Sequence, residues 1–188
     1  MNLVIFGPPG AGKGTQSNFI VSKFKLYQLS TGELLRNEIK NKTELGQKIA
    51  FLMNSGNLVS DEIVSNLIEK YISDKNYNNR LIFDGYPRNL NQAKNLQTML
   101  KNSGKKIDLA LKLNVSLETI KIRISQRKSE EERSDDREEI AIKRYGTYEK
   151  NIIPVINFYK QSNLLKVING ERSVSEISTE ISGLIESI

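Results

Sequence analysis

The run Gly7-Pro8-Pro9-Gly10-Ala11-Gly12-Lys13-Gly14-Thr15 constrains this chain more than any other stretch. It follows the short apolar segment Leu3-Val4-Ile5-Phe6 and precedes an amphipathic stretch that begins near Gln16. Strand, glycine-rich loop and helix in that order are what a phosphate-binding loop requires. Glycines at 7, 10, 12 and 14 let successive backbone N–H groups turn inward toward an anion with no side chain in the way. The following helix aims its positive end at the same point, and Lys13 adds a full charge.

The pattern is Gly-x-x-x-x-Gly-Lys, with one departure. A hydroxyl residue usually follows the lysine directly and touches Mg²⁺, but here Gly14 intervenes and Thr15 comes one place later. Metal contact is therefore expected through water and not through this loop. Leu81-Ile82-Phe83-Asp84-Gly85 places a carboxylate at the end of a second apolar run. Beside a phosphate loop, such an aspartate is suited to orienting waters on a nucleotide-bound Mg²⁺.

Composition narrows the chemistry further. The chain has no cysteine and no histidine, which excludes disulfides, thiolate or imidazole metal sites and imidazole acid–base catalysis. The net charge of +6 favours an anionic partner. Nucleic acid is one such partner. The basic residues are dispersed, however, tryptophan is absent, and aromatics reach only 7% with no interleaving among the cations. Nucleotide polyphosphates account for the excess at least as well. No run approaches the roughly 18 apolar residues of a membrane span, and the first strand pattern is already under way at Leu3. The expectation is a soluble cytosolic protein.

Apolar runs at Leu3–Phe6, Leu26–Leu29, Leu81–Phe83, Leu109–Leu113 and Leu165–Ile168 alternate with longer helical patterns. That alternation predicts an α/β, three-layer, doubly wound fold with a five-stranded parallel sheet. Ligands in such sheets gather at the carboxyl ends of the strands. Between the second and third strands the chain runs about fifty residues, far longer than one crossover. Helices near Gly32–Asn41 and Glu44–Asn54, and a third starting at Ser60, fill that interval as a small helical insertion. Ser173 with Glu176 forms a capping-box pattern at the start of the last helix. Pro154 interrupts a helical pattern and is expected to kink or divide it.

Several motifs in one order carry a resemblance. Gly7–Thr15 resembles the loop of the nucleoside monophosphate kinases. Ser30-Thr31-Gly32-Glu33-Leu34-Leu35-Arg36 and Asp84-Gly85-Tyr86-Pro87-Arg88 resemble the next two signatures of the adenylate kinase family. Arg123, Arg127, Arg133-Ser-Asp-Asp136 and Arg144 resemble its arginine series, and the match runs to about Arg172. The implied activity is reversible phosphoryl transfer, ATP + AMP ⇌ 2 ADP, by a monomer with Mg²⁺ on the ATP. Such chemistry rests on positioning and charge neutralisation more than on a general base, which suits a site with arginines and no histidine.

The resemblance assigns roles residue by residue. Gly10, Ala11, Gly12, Lys13, Gly14 and Thr15, with Arg123, Arg127 and Arg172, are implied to bind ATP. Thr31, Arg36, Asn57, Leu58, Val59, Gly85, Tyr86, Pro87, Arg88 and Gln92, with Arg133 and Arg144, are implied to bind AMP. Lys13, Arg88, Arg123, Arg133 and Arg144 are the implied catalytic set, and Asp84 is the implied metal residue through water. Met53 adds to an apolar slot for the base, and Gly170 to a turn near the ATP adenine.

The implied organisation is one domain over 1–188. Its core comprises 1–29, 60–126 and 138–188, with an NMP-binding subdomain at 30–59 and a lid loop at 127–137. Many bacterial members carry a longer lid, some with a cysteine-bound zinc. With only Lys128 to Glu132 between Arg127 and Arg133 and no cysteine, this chain resembles the short-lid form, without structural zinc. Where longer forms often have another arginine, it has Ile142.

The acceptor base rests on two positions. Pyrimidine monophosphate kinases resemble the same loop, and Pro87-Arg88-Asn89 leans toward them. Thr31 and Gln92 resemble the adenine-reading pair, since a carboxamide presents a donor beside an acceptor. AMP is favoured, and UMP/CMP kinase is the alternative. A regulatory GTPase needs a late Asn-Lys-x-Asp. The near match Asn41-Lys42-Thr43-Glu44 ends in the wrong residue and precedes Asp84.

Overall fold

The computed structural model describes residues 1–77, 79–130 and 138–188. Five strands, β1 (Leu3–Phe6), β2 (Tyr27–Ser30), β3 (Leu81–Asp84), β4 (Leu109–Asn114) and β5 (Leu165–Asn169), form one sheet in the order β2-β3-β1-β4-β5. Every neighbouring pair is parallel. The helices are α1 (Lys13–Phe24), α2 (Thr31–Lys40), α3 (Glu44–Asn54), α4 (Asp61–Ser73), α5 (Leu90–Asn102), α6 (Leu117–Glu130), α7 (Glu138–Gln161) and α8 (Val174–Glu186). None in the described residues is long and apolar enough to cross a membrane.

The period of two in the strands divides the core between the sheet's faces. Leu3 and Ile5 of β1 join Ile20 of α1, Ile120 and Ile124 of α6 and Ile181 of α8. Val4 and Phe6 join Ile68 of α4, Leu96 of α5 and Val155 and Tyr159 of α7. The result is the expected α/β three-layer fold with a five-stranded parallel sheet. Burial on both faces explains why β1 and β3 read as unbroken apolar runs.

The edge strands depart from that pattern. β2 starts one residue later than expected, at Tyr27, which is exposed. In β5, Lys166 and Val167 face outward. Each edge strand has a neighbour on one side only, so its apolar signal is shorter and its limits are set by pairing. Ser30 thus aligns with Asp84 in the ladder.

Helix starts follow the capping chemistry of the sequence. Ser30, Thr43 and Ser60 each accept a bond from a first-turn N–H of α2, α3 and α4. The Ser173–Glu176 capping box is complete at α8. Pro154 does not divide its helix, since α7 runs from Glu138 to Gln161 through it. A proline forfeits one amide bond, and Ile152, Val155 and Tyr159 anchor the helix in the core on both sides of it.

The α2–α3 hairpin depends on one close approach. A Cβ built on Gly46 would sit 2.1 Å from the carbonyl oxygen of Glu38, so only glycine lets these two helices meet. Thr43 fastens the same turn, donating to Glu38 Oε2 at 2.5 Å while capping Gly46 N–H at 3.0 Å.

Candidate active site

A cleft of about 600 Å³ opens at the carboxyl ends of β1, β2 and β3. Its floor is the loop between β1 and α1. Gly12 is the N-cap of α1 at φ 90°, a left-handed conformation that glycine adopts without penalty. No acidic residue occupies the first turn of α1, so the positive helix end is not offset by a local carboxylate. Lys13 arches back over the loop and donates to the carbonyls of Gly7 and Pro8 at 2.8 and 3.0 Å. Gly10, Ala11, Gly12, Gly14 and Thr15 line the same floor.

Arg123, on α6, links this loop to the opposite wall. Its guanidinium donates to Ala11 O at 3.3 Å and to Gly170 O at 2.9 Å, joining the phosphate loop to the turn after β5. Arg172 follows in that turn, ion-paired with Glu180 of α8. Glu171 accepts from Ser116 N–H and from Thr119, bonds that hold its carboxyl below its ordinary pKa and tie the turn to the start of α6.

The other half of the cleft is built around Gly85. Its carbonyl accepts from Thr31 Oγ at 2.9 Å and from Arg88 Nε at 2.7 Å, so the start of α2 and the segment after β3 share one acceptor. Arg36, one turn along α2, and Arg144, on α7, also face the cleft. Met53, Leu58 and Val59 supply an apolar wall, and Asn57 and Pro87 complete it. Gln92, 2% exposed, closes the end of this half.

Among the described residues, six cationic side chains (Lys13, Arg36, Arg88, Arg123, Arg144 and Arg172) line the cleft against two carboxylates, Glu33 and Asp84. A cleft with that balance concentrates polyanions. Gly170 is not among its lining residues, and neither is Tyr86, an expected contact. Its ring is 1% exposed in the core, its hydroxyl lies 3.2 Å from Ser65 Oγ, and burial pushes its phenol above the ordinary range. Arg133 and the side chain of Arg127 lie outside the described residues.

The sequence matches the family described as adenylate kinase over residues 5–164. The chain belongs to the adenylate kinase family. It is 40% identical over 186 residues to the adenylate kinase of Maricaulis maris (strain MCS10), covering 99% of both chains. It is 39% identical over 188 residues to that of Caulobacter sp. (strain K31), covering all of both. Against the adenylate kinase of Pelagibacter ubique (strain HTCC1062) it is 39% identical over 212 residues, covering 99% of this chain and 100% of the relative.

The family uses Mg²⁺ with its nucleotide, and the residues present fit a metal that arrives on phosphates. Among the described residues, no three His, Cys, Asp or Glu side chains cluster. Asp84 ends β3 beside the loop, 8% exposed, with Oδ2 accepting from Gln28 Nε2 at 2.9 Å. That bond holds one carboxylate oxygen of a residue that lines the cleft.

Two contributors escape the sequence reading. Gln28 reaches Asp84 from a neighbouring strand 56 residues away, and the available cue is only a polar amide within an apolar strand. Asp61 directly follows Ser60, where the sequence starts a helix, and its carboxylate accepts from both Gln92 and Asn89 across the α4–α5 contact.

Proposed function

We propose that this chain catalyses ATP + AMP ⇌ 2 ADP, with ATP on the phosphate loop and AMP in the half of the cleft built on Gly85. The observation that carries this reading is one continuous cavity containing both the loop and a second basic cluster beside an apolar wall. Two phosphate-binding halves in one cleft suit transfer between nucleotides better than hydrolysis at a single one.

In this reading Lys13 and the α1 N-terminus hold the ATP phosphates, with Arg172 and Gly170 at the adenine end. Arg36 and Arg88 hold the AMP phosphate, with Thr31 and Gln92 toward the base. Arg123 and Arg144, approaching from α6 and α7, flank the space between the halves and offset charge on the group in transit. Arg127 and Arg133 belong to the same arginine set. Asp84 receives water on a nucleotide-borne Mg²⁺, which when bound neutralises polyphosphate charge. The proton of a phosphate acceptor requires no dedicated base, in keeping with a cleft free of histidine.

The helical hairpin α2–α3 within residues 30–59 is the NMP-binding subdomain, and residues 127–137 form a short lid. Closure of the two around the substrates excludes water. The chain works as a cytoplasmic monomer on free nucleotides, without nucleic acid, as the family resemblance implies.

Steady-state assays with Mg·ATP and AMP, UMP, CMP or GMP as acceptor test the reading. AMP should give the highest kcat/KM. Turnover of UMP at least equal to that of AMP would replace the acceptor assignment with the pyrimidine kinase alternative.

A further inference from the structure

Gln92 is buried, and two neighbours leave its carboxamide a single orientation. The main-chain N–H of Arg88 donates to Oε1 at 2.7 Å, and Nε2 donates to Asp61 Oδ1 at 2.7 Å. An N–H only donates and a carboxylate only accepts. Turning the amide over would therefore set donor against donor and acceptor against acceptor. Asp61 comes from the first turn of α4. Its two oxygens also accept from Asn89 Nδ2, at 2.9 and 3.0 Å, while Asn89 Oδ1 caps α5 by accepting from Gln92 N–H at 2.9 Å. One carboxylate thus orients both amides at the start of α5.

A carboxamide carries two N–H donors and two acceptor lone pairs. One of each is committed, which leaves one donor and one acceptor of fixed polarity on a residue that lines the cleft. A 6-aminopurine offers the matching edge, an amino N–H beside a ring-nitrogen acceptor. A 6-oxopurine offers either two acceptors or the reversed pair, a carbonyl beside a ring N–H, which only an inverted amide could meet.

We propose that Asp61 is a specificity-determining positioning residue, which by locking the polarity of Gln92 sets the acceptor site to take a 6-aminopurine monophosphate and reject the 6-oxo analogue. The inference rests on the reading of this half of the cleft as the AMP site. Asp61 acts through Gln92 and touches no reacting atom.

The test compares AMP with IMP, which differ at the 6-position and the adjacent ring nitrogen. In the wild type, calorimetry should show IMP binding at least about tenfold more weakly than AMP, the scale of one mispaired buried hydrogen bond. Asp61→Leu and Asp61→Ala should lower the AMP/IMP ratio of kcat/KM by about tenfold. Asp61→Asn, which retains an acceptor oxygen, should recover part of that ratio. Asn89→Ser, which keeps a helix cap but drops the link to Asp61, should leave it unchanged. A purely structural Asp61 would weaken both substrates alike and hold the ratio constant. A constant ratio in the Leu and Ala variants overturns the proposal while the AMP reading stands, and equal wild-type affinities overturn it without any variant. A wild type that turns over UMP or CMP in preference to AMP removes the reading itself, and the proposal with it.

Discussion

At the residue scale, the cleft assigns distinct work to side chains that look alike in sequence. Lys13 is folded onto the carbonyls of Gly7 and Pro8, which holds its ammonium against the glycine-rich loop. Lys13→Ala should lower kcat/KM by about 10²–10³, the cost of removing one preorganised charge contact, with the unfolding midpoint little changed. Normal turnover in that variant would end the assignment of the loop as the ATP cradle. Gln28 makes a subtler case. It holds Oδ2 of Asp84, so Gln28→Leu leaves the carboxylate free to rotate. Partners that orient a metal-associated group typically contribute tenfold or more in affinity. Calorimetric ATP affinity measured across a Mg²⁺ series should show the gain from Mg²⁺ shrinking by about that factor, while affinity for metal-free ATP stays the same. An unaltered Mg²⁺ gain would show that Asp84 needs no help from β2.

At the element scale, the α2–α3 hairpin carries Thr31 and Arg36 and is held shut by the contact of Gly46 with Glu38. Gly46→Ala forces a methyl into that backbone contact. The variant should unfold at lower denaturant, by about 1–3 kcal/mol for such overpacking, and its KM for AMP should rise more than its KM for ATP because α1 and the loop lie elsewhere. Equal changes in the two KM values would detach the hairpin from the AMP half. The elements themselves were legible because parallel strands buried on both faces must be continuous apolar runs, as Leu3–Phe6 and Leu81–Phe83 are. Ser60 and Ser173 marked the starts of α4 and α8 for an equally local reason. The loop and Asp84 could be read because their function lies in adjacent residues. The links Gln28–Asp84 and Asp61–Gln92 could not, since each is created by packing between elements 56 and 31 residues apart and leaves no period or spacing in the chain. Pro154 failed as a divider for a related reason, tertiary packing outweighing one lost amide bond.

At the scale of the whole molecule, the core facing α4, α5 and α7 contains buried phenols, and this gives stability a pH limit. Tyr86, Tyr148 and Tyr159 belong to that core or pack against it. Burial is the first cause raising each of their phenol pKa values, and at Tyr148 the charges of Glu149 and Tyr145 raise it further. A phenol whose folded pKa lies above its unfolded value near 10 keeps its proton in the native state after the unfolded chain has lost it. Between those two values the unfolded state binds fewer protons, so stability is full below about pH 10 and falls as pH rises beyond it. Each such group adds a slope of up to about 1.4 kcal/mol per pH unit. Tyr148 separates this linkage from packing, because its hydroxyl is buried with no hydrogen-bond partner among the described residues. Tyr148→Phe deletes an unsatisfied polar atom while keeping the ring, and should hold or raise stability at pH 7 by up to about 1 kcal/mol. The same variant should flatten the alkaline fall by one proton's worth. Urea unfolding of wild type and variant from pH 8 to 11 measures both effects, and comparing the two slopes cancels the lysines that titrate in the same range. Parallel slopes would show that Tyr148 ionises as freely in the folded chain as in the unfolded one.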